Sequence, residues 1–311
     1  MCNAFLWKGA PNSARGAKIL WETVCTTKEY GGLGLRSLAA WNKVLAVNLI
    51  RLLFSVAGSL WVLRLASGMI IVGPLIDLAG PNGPQIVRLP SDAVVRDALR
   101  GTDWWLASSR SRNLKPDHLA PSNKFSTAKT WLAHHPNGVP VTWHKSVWFK
   151  DQIPKHAFIC WVVTWNRLHT RDRLQNWGMN IPSSCVLCYS HDESRDHLFF
   201  QCRFSSEIWK FFTDAATLIP PTQFMPCLMW IKTASSNANL SLIIKLIFQA
   251  SIYFIWKERN LRIHHGNYRS SSLIIKEIQL NIRALLDPLS RKQQQTGLSL
   301  LATWFGFFQI S

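Results

Sequence analysis

The chain has 311 residues, of which 48% are hydrophobic, so it is long and apolar enough to bury a sizeable core and is not a disordered chain. Lysine and arginine number 35 against 17 aspartates and glutamates, which gives a formal net charge of +18. Such an excess is costly by self-repulsion unless a polyanion offsets it, and nucleic acid is the commonest such partner. The alternative is a basic surface with no partner.

The first predicted helix follows a glycine-rich turn. Residues 31–34 read Gly-Gly-Leu-Gly, without the Lys-Ser/Thr ending or the strand-to-helix context of a phosphate-binding loop, so they predict a turn. Ser37 begins a helix whose apolar residues, as far as Leu53, recur at three- and four-residue steps. Glycine–proline pairs then punctuate residues 65–124, which predicts a loop-rich linker region.

The next segment is dense in helix signals. Pro154 opens a predicted helix that carries Trp161 on its apolar face, and Thr170 caps the following helix. On this second helix we expect Trp177 to be buried and Gly178 to mark the end.

The C-terminal part contains the clearest helical pattern. Apolar residues across 239–263 recur at i, i+3 and i+4, and the charged run at 257–260 closes this predicted helix. A second helix, Ser272–Leu286, is expected to stop before Pro288, and the tail ends in an apolar patch at Trp304–Phe308. The pattern predicts a mainly α fold, with a small helical module flanked by helical segments and irregular loops.

Two observations bear on membranes and compartment. The longest apolar stretches, Leu45–Leu78 and Leu240–Trp256, are interrupted by charged residues and lack the ~18 uninterrupted apolar residues of a membrane span. The first eight residues lack the basic start and apolar run of a secretory signal. We therefore expect an intracellular protein, in the nucleus or cytoplasm, without a membrane partner. Its seven cysteines are then expected to be thiols or metal ligands rather than disulfides.

A cluster of metal-ligand residue types stands out in the middle of the chain. Cys185, Cys188, His197 and Cys202 have the spacing C-x2-C-x8-H-x4-C. Two thiolates on a tight turn can reach one ion at ~2.3 Å, and three sulfurs with one imidazole favour tetrahedral zinc. Because protein ligands fill all four positions, the pattern predicts one structural Zn2+ rather than a catalytic one.

The spacing of the last two ligands constrains the local structure. Ser194 is a predicted helix cap that places His197 in the first turn. Five residues of an α-helix rotate ~140° beyond a full turn, so His197 and Cys202 cannot face one ion from an unbroken α-helix. We therefore predict that the helix ends or kinks between Phe199 and Cys202, and that Ser205 caps a new helix.

Other interpretations of these residues remain open. The four could be unrelated, some of them in the core, as is usual for a lone cysteine such as Cys160 or Cys227. His191 lies in the spacer and could replace His197 as the nitrogen ligand.

Five motifs resemble the zinc-binding module of plant non-LTR (LINE-type) retrotransposon reverse transcriptases. They are Pro-Lys-His-Ala-Phe-Ile-Cys-Trp at 154–161, Arg-Leu-x-Thr-x-Asp-Arg-Leu at 167–174, Trp-Gly at 177–178, Cys-Val-Leu-Cys at 185–188 and Glu-Ser-Arg-Asp-His-Leu-Phe-Phe-x-Cys at 193–202. The flanks at 5–9, 31–35 and 256–260 are similar to the same polyproteins. The resemblance implies a reverse-transcriptase-type zinc-binding domain.

The chain departs from that family in its catalytic motifs. The family parent is an RNA-directed DNA polymerase, which needs paired aspartates to hold metal ions. No Tyr-x-Asp-Asp motif occurs here, and no two of the eleven aspartates are adjacent. We therefore expect no enzyme activity, no small-molecule substrate, and a remnant that lacks the polymerase and endonuclease domains.

Basic residues near the cysteine–histidine cluster are candidates for contacts with RNA or DNA, because phosphate contacts need only positive charge at suitable spacing. The candidate nucleic-acid-binding residues are Lys155, Arg167, Arg171, Arg173, Arg203 and Lys210. Interleaved tryptophans could stack on unpaired bases, although their helical spacing favours the core. Many of the basic residues could equally be solvated charges.

The sequence divides into four predicted regions. These are a post-polymerase helical remnant at 1–64, the linker region at 65–124, the zinc-binding domain at 125–212 and a C-terminal helical region at 213–311. The favoured function is a nucleic-acid-binding zinc module. The alternatives are a zinc-stabilised protein-interaction module, docking through a patch such as Trp304–Phe308, and the product of a pseudogene.

Overall fold

The computed structural model describes residues 18–45, 99–100, 103–104, 127, 131, 139–292 and 299–308. The chain forms two compact units, one of Met1–Leu33 with Val141–Ser311 and one of Gly34–Pro140. The described residues are mainly helical, as predicted. The domain boundaries at residues 64, 124 and 212 remain predictions.

Helices supply nearly all of the regular structure in the described part of the first unit. They are α1 (Trp21–Cys25), a 3-10 turn (Lys28–Tyr30), α2 (His144–Val147), α3 (Pro154–Thr164), α4 (Arg171–Asn176), a π-helical turn (His197–Gln201), α5 (Arg203–Ala215), α6 (Phe224–Trp230), α7 (Ala238–His265), α8 (Ser271–Lys292) and α9 (Leu300–Phe307).

The central element of this unit is α7, the long helix that the sequence predicts. The Asn237 side chain caps it by accepting from the backbone N–H groups of Asn239 and Leu240, and Gly266 ends it in the left-handed conformation. The helix packs against α3, α5, α8 and α9 and is therefore buried on several faces. Among the described helices, α7 alone is long and apolar enough to cross a membrane. However, 67% of its most apolar 18-residue stretch is buried inside the chain, as expected for a core helix.

The C-terminal helices differ from the prediction in one respect. Helix α8 does not stop before Pro288 but continues through it to Lys292. Proline removes one helical hydrogen bond, and α8 remains helical across Pro288 while it packs against α9. Ser290 lies in the added turn and its Oγ accepts from the backbone N–H of Leu301 at 2.9 Å. Trp304 is buried in the shared core.

The glycine-rich segment is a turn, as predicted, and it has a packing role. Gly31 has a φ of 86°, and its carbonyl accepts hydrogen bonds from the indole N–H groups of Trp161 at 2.7 Å and Trp165 at 2.9 Å. A Cβ on Gly31 would lie 2.8 Å from the Trp165 ring, so a side chain would collide with it. The turn thereby fixes α3 against the N-terminal segment.

The second unit is described in part. A helical segment at 38–45 begins after Ser37, as predicted. Its Trp41 ring lies 5.8 Å from the Trp131 ring and 4.1 Å from the Arg36 guanidinium. In this unit, Trp41 therefore contacts both an aromatic and a basic side chain.

Two short strands complete the described part of the second unit. β1 (Leu99–Arg100) and β2 (Asp103–Trp104) pair antiparallel, with Leu99 opposite Trp104 and Arg100 opposite Asp103. The rest of the predicted loop-rich region at 65–124 lies outside the described residues.

Candidate metal centre

The structure brings the four predicted ligands together. The ligand atoms of Cys185, Cys188, His197 and Cys202 all lie within 4.8 Å of one another. The Sγ atoms of Cys185 and Cys202 are 3.9 Å apart, and Cys188 Sγ is 3.3 Å from His197 Nε2. Two sulfurs bound to one tetrahedral zinc at ~2.3 Å lie about 3.8 Å apart, and a sulfur and a nitrogen about 3.6 Å apart. The cluster therefore fits one structural Zn2+.

A tight hairpin positions Cys185 and Cys188, which together form the zinc knuckle. The backbone N–H of Cys185 donates to the carbonyl of His191 at 2.7 Å, and the N–H of Tyr189 donates to the carbonyl of Cys185 at 2.8 Å. Tyr189 adopts a positive φ of 57°, and Ser184 pairs with Asp192 across the hairpin. This reversal of the chain points both thiols to one side.

The π-helical turn solves the geometric problem that the spacing of His197 and Cys202 poses. Ser194 Oγ accepts from the His197 N–H at 3.2 Å, which confirms the predicted cap. The N–H of Cys202 donates to the carbonyl of His197 at 2.7 Å, an i+5 to i bond that closes a π turn instead of an α turn. The two ligands are thus one widened turn apart and can meet at one ion.

The predicted break before Cys202 is confirmed, since the helical turn ends at Gln201 and Cys202 is extended. The predicted cap at Ser205 is wrong, because α5 begins at Arg203 with Cys202 in the capping position. Ser205 instead donates from its Oγ to the Leu198 carbonyl at 2.6 Å. The physical reason is that the extended residue Cys202 already separates the two helices, so no further linker is needed.

The four ligand residues are largely shielded from solvent. Cys185, Cys202 and His197 are buried, and Cys188 is half-buried. Burial, followed by the neighbouring His191 ring, lowers the pKa of His197, which favours the neutral imidazole that binds zinc. The contact between the two buried thiols raises the pKa of Cys185 and lowers that of Cys202.

The alternatives to this ligand set find less support. His191 is exposed and its ring lies 5.4 Å from that of His197, which is the histidine that joins the cysteines. Cys160 and Cys227 are buried outside the cluster, where burial raises the pKa of each thiol. In the part of the chain that the structure describes, the four-residue cluster is the one group placed to hold a metal.

Two arginines of α7, which the residue pattern does not predict as part of the site, contact the surroundings of the cluster. Arg262 Nη1 donates to the Leu187 carbonyl, between the two knuckle cysteines, at 3.1 Å. Arg259 Nη2 donates to Glu193 Oε1 at 2.8 Å, and Arg259 and Glu193 are both buried. The pattern predicts that the charged run at 257–260 closes the helix, but α7 continues to His265, so Arg259 and Arg262 lie on buried turns. The sequence signal that could have pointed to the Arg259–Glu193 pair is an acidic residue, Glu193, close to the metal ligands.

Aromatic packing joins the π-helical turn to the rest of the core. Phe200 lies in this turn and stacks on Phe248 of α7, with ring centroids 5.8 Å apart and an interplanar angle of 18°. Trp209 of α5 meets the same Phe248 ring edge-on at 5.7 Å. The metal cluster is therefore built into the main hydrophobic core rather than carried on a separate loop.

The predicted nucleic-acid-binding residues differ in their surroundings. Lys155, Arg167, Arg203 and Lys210 are exposed, and Arg203 forms an exposed ion pair with Glu207 at 3.4 Å.

The two remaining candidates, Arg171 and Arg173, are partly buried. The Arg171 Nη1 donates to the Ser184 carbonyl and helps to fix the knuckle hairpin, whereas Arg173 donates to the Asn166 carbonyl and lies over the Trp177 ring. Both arginines thus have a carbonyl partner within the chain, and Arg173 also lies beside an aromatic ring.

The tryptophans near the cluster separate into core and surface groups. Trp161 and Trp209 are buried and Trp165 is partly buried. The predicted burial of Trp177 is wrong, since this residue is 55% exposed. Helix α4 ends at Asn176, one residue before Trp177, so Trp177 does not share the helical face of Leu174. Gly178 then turns the chain with a φ of 83°. Trp177 therefore caps the helix instead of continuing its buried face.

Comparison with known proteins bears on the same region. Residues 125–209 match the family model described as zinc-binding in reverse transcriptase. No curated protein and no solved structure matches the chain. The family match and the cluster of three cysteines and one histidine agree in place and in chemistry. Together they support a reverse-transcriptase zinc-binding domain at residues 125–209 of this chain.

Proposed function

We propose that the chain is a nucleic-acid-binding zinc module and a remnant of a plant LINE-type retrotransposon reverse transcriptase. The proposal is one of binding and not of catalysis. Zinc orders the knuckle and the π-helical turn, and basic side chains around them hold RNA or DNA by their phosphates.

The observation that carries the proposal is an imbalance of charge at the surface. The chain has a net charge of +18. Near the metal cluster the carboxylates of Glu193 and Glu258 are buried against arginines, so they do not neutralise the surface lysines and arginines. Among the six candidates, Arg203 alone has an ion pair within the described residues. The exposed residues Lys155, Arg167 and Lys210 have no ion pair within the described residues, and such uncompensated positive charge favours a polyanionic partner.

Burial of part of the Trp304–Phe308 patch weakens the rival function, in which a protein docks on this patch. Trp304 and Phe308 are 0% and 1% exposed, so they pack in the core of this chain. Phe305 and Phe307 remain partly exposed, which leaves a small apolar surface. No second function is proposed from it.

Salt-titrated binding to single-stranded RNA tests the proposal. The apparent association constant is expected to fall linearly with salt on logarithmic axes, with a slope of about −0.7 per phosphate neutralised. The variant Lys155→Ala, Arg167→Ala, Lys210→Ala is expected to bind more weakly and with a shallower slope. Arg291→Ala is the matched control, because Arg291 is exposed but paired with Asp287 on α8. Binding that is absent, or indifferent to salt, contradicts the proposal.

A further inference from the structure

Trp177 is an exposed aromatic residue in a position fixed by the backbone. Its N–H donates to the carbonyls of Arg173 at 3.2 Å and Leu174 at 3.1 Å, and the following Gly178 turns the chain away. The N–H of Met179 returns to the Leu174 carbonyl at 3.1 Å. These bonds fix the backbone of Trp177 at the end of α4, where 55% of the residue is open to solvent.

One guanidinium and one imidazole contact this indole. The Arg173 guanidinium lies over the ring, 5.2 Å from its centroid, and the His169 ring meets it at 76° with centroids 5.4 Å apart. Arg167 is exposed nearby and close enough to Arg173 for their charges to interact. Burial is the main cause that lowers the pKa of His169. The positive charges of Lys18, Arg173 and Arg259 lower this pKa further.

The cations near Trp177 have few neutralising partners. Neither Arg167 nor Arg173 forms an ion pair within the described residues, and the guanidinium of Arg173 donates to the carbonyl of Asn166. One carboxylate, Asp172, is close enough to act on the charge of Arg173. The local charge is therefore positive around an aromatic face.

A solitary exposed apolar side chain needs no functional explanation. An exposed, backbone-fixed indole among unpaired guanidinium groups is different, because it combines the two components of single-strand binding sites. These are an aromatic surface on which a base stacks and cations that follow the phosphates. The other tryptophans near the metal cluster cannot serve, since Trp161 and Trp209 are buried in the core and Trp165 is held against Gly31.

We propose that Trp177 stacks on an unpaired base of a single-stranded nucleic acid, with Arg167 and Arg173 on the phosphates that flank this base. The inference rests on the proposed function and narrows it, because it selects single strands over duplexes at this site. A base inside a duplex is stacked on its neighbours and presents no free face to the indole.

The experiment compares variants of the whole zinc-loaded chain for binding to a labelled single-stranded RNA and to a duplex of the same sequence. Trp177→Ala is expected to weaken single-strand binding about 5- to 150-fold, the range for loss of one stacked base. The factor is expected to be the same at low and high salt, since stacking neutralises no phosphate. Duplex binding is expected to stay within about twofold of the wild type.

Two further substitutions separate stacking from packing. Trp177→Phe keeps an aromatic face and is expected to retain most of the affinity, whereas Trp177→Leu keeps apolar volume and is expected to lose it as Trp177→Ala does. Phe305→Ala is the matched control. Phe305 is 44% exposed, and its ring centroid lies 5.3 Å from the guanidinium of Arg283. This aromatic–cation pair joins α9 and α8 and does not involve α4. Its loss is expected to leave RNA binding unchanged.

The outcomes distinguish this inference from the proposed function. If the wild type binds with the expected salt dependence but Trp177→Ala binds single strands equally well, the stacking site is wrong and the general function stands. The same conclusion follows if Trp177→Leu binds like Trp177→Phe, or if single-strand and duplex binding fall together. If the wild type binds no nucleic acid, both proposals are overturned.

Discussion

Arg259 of α7 and Glu193 beside the metal cluster form a buried, two-pronged ion pair across 66 residues of sequence. Nη2 and Nε of Arg259 lie 2.8 Å and 3.3 Å from the two carboxylate oxygens of Glu193. The same carboxylate accepts the backbone N–H of Arg171 at 2.9 Å, and Nη2 of Arg259 also donates to the His169 carbonyl at 3.0 Å. The pair therefore joins the knuckle hairpin, the start of α4 and the central helix.

Replacing Glu193 by glutamine is expected to destabilise the zinc-bound protein by about 3–5 kcal/mol, because the buried Arg259 is left without a counter-charge. The free energy of unfolding in urea measures this loss. Glu207→Gln is the control, since its pair with Arg203 is exposed and is expected to contribute at most about 1 kcal/mol. A loss for Glu193→Gln as small as that of the control would show that the pair does not join these elements.

Arg262→Met is expected to lower zinc affinity about 10-fold, because interactions that orient the surroundings of metal ligands usually contribute at this level. The substitution removes the hydrogen bond to the Leu187 carbonyl. Glu258 keeps Arg269 as a partner at 2.7 Å, so the buried carboxylate is not left alone. Competition with a chromogenic chelator measures the affinity. Arg283→Met, on α8, serves as the reference, and equal affinities for the two variants would contradict the role of Arg262.

The sequence predicts the metal cluster because covalent spacing and ligand chemistry are local properties. Cys185 and Cys188 are confined to one turn by two intervening residues, and His197 and Cys202 can meet at one ion only if the α-helix is interrupted. The form of the interruption, a π turn with an extended Cys202, depends on hydrogen bonds that no residue pattern announces.

The parts of the site that the sequence does not predict are long-range. A Lys-Glu-Arg-Asn run at 257–260 has the composition of a solvated helix end. Glu258 and Arg259 in this run are nevertheless buried. Arg259 contacts Glu193, 66 positions earlier in the sequence, and no periodicity encodes that contact. Trp177 shows the converse case, since its three-residue spacing from Leu174 indicates a shared face but the helix ends between them and the indole turns outward.

His156 gives the protein a sensitivity to mild acid. Both ring nitrogens are buried without a hydrogen-bond partner, and the ring packs on Tyr253 with centroids 4.5 Å apart. Burial, followed by the charge of Lys155, lowers the pKa of His156 from 6.5 to about 4. Below pH 6.5 the unfolded chain takes up a proton that the folded chain refuses, so stability is lost as pH falls through this window to about 4.

The variant His156→Phe is expected to remove this dependence, because phenylalanine fits the aromatic surroundings without a titrating group. Relative to its value at about pH 7.5, the wild type is expected to lose about 2 kcal/mol more stability than the variant at about pH 5. Unfolding in urea at both pH values measures the difference, and comparison at the same pH cancels any effect of acid on the metal ligands. Parallel losses in the two proteins would contradict the assignment.

The metal content of the purified chain tests the central claim most directly. One zinc per chain is expected for the wild type, and none for the double variant Cys185→Ser, Cys188→Ser. Zinc binding in finger peptides amounts to about 10–16 kcal/mol, which exceeds the net stability of a small domain, so a chelator is expected to unfold the segment that contains the cluster. Metal-free wild-type protein whose helical signal and unfolding curve do not change with chelator would contradict the account.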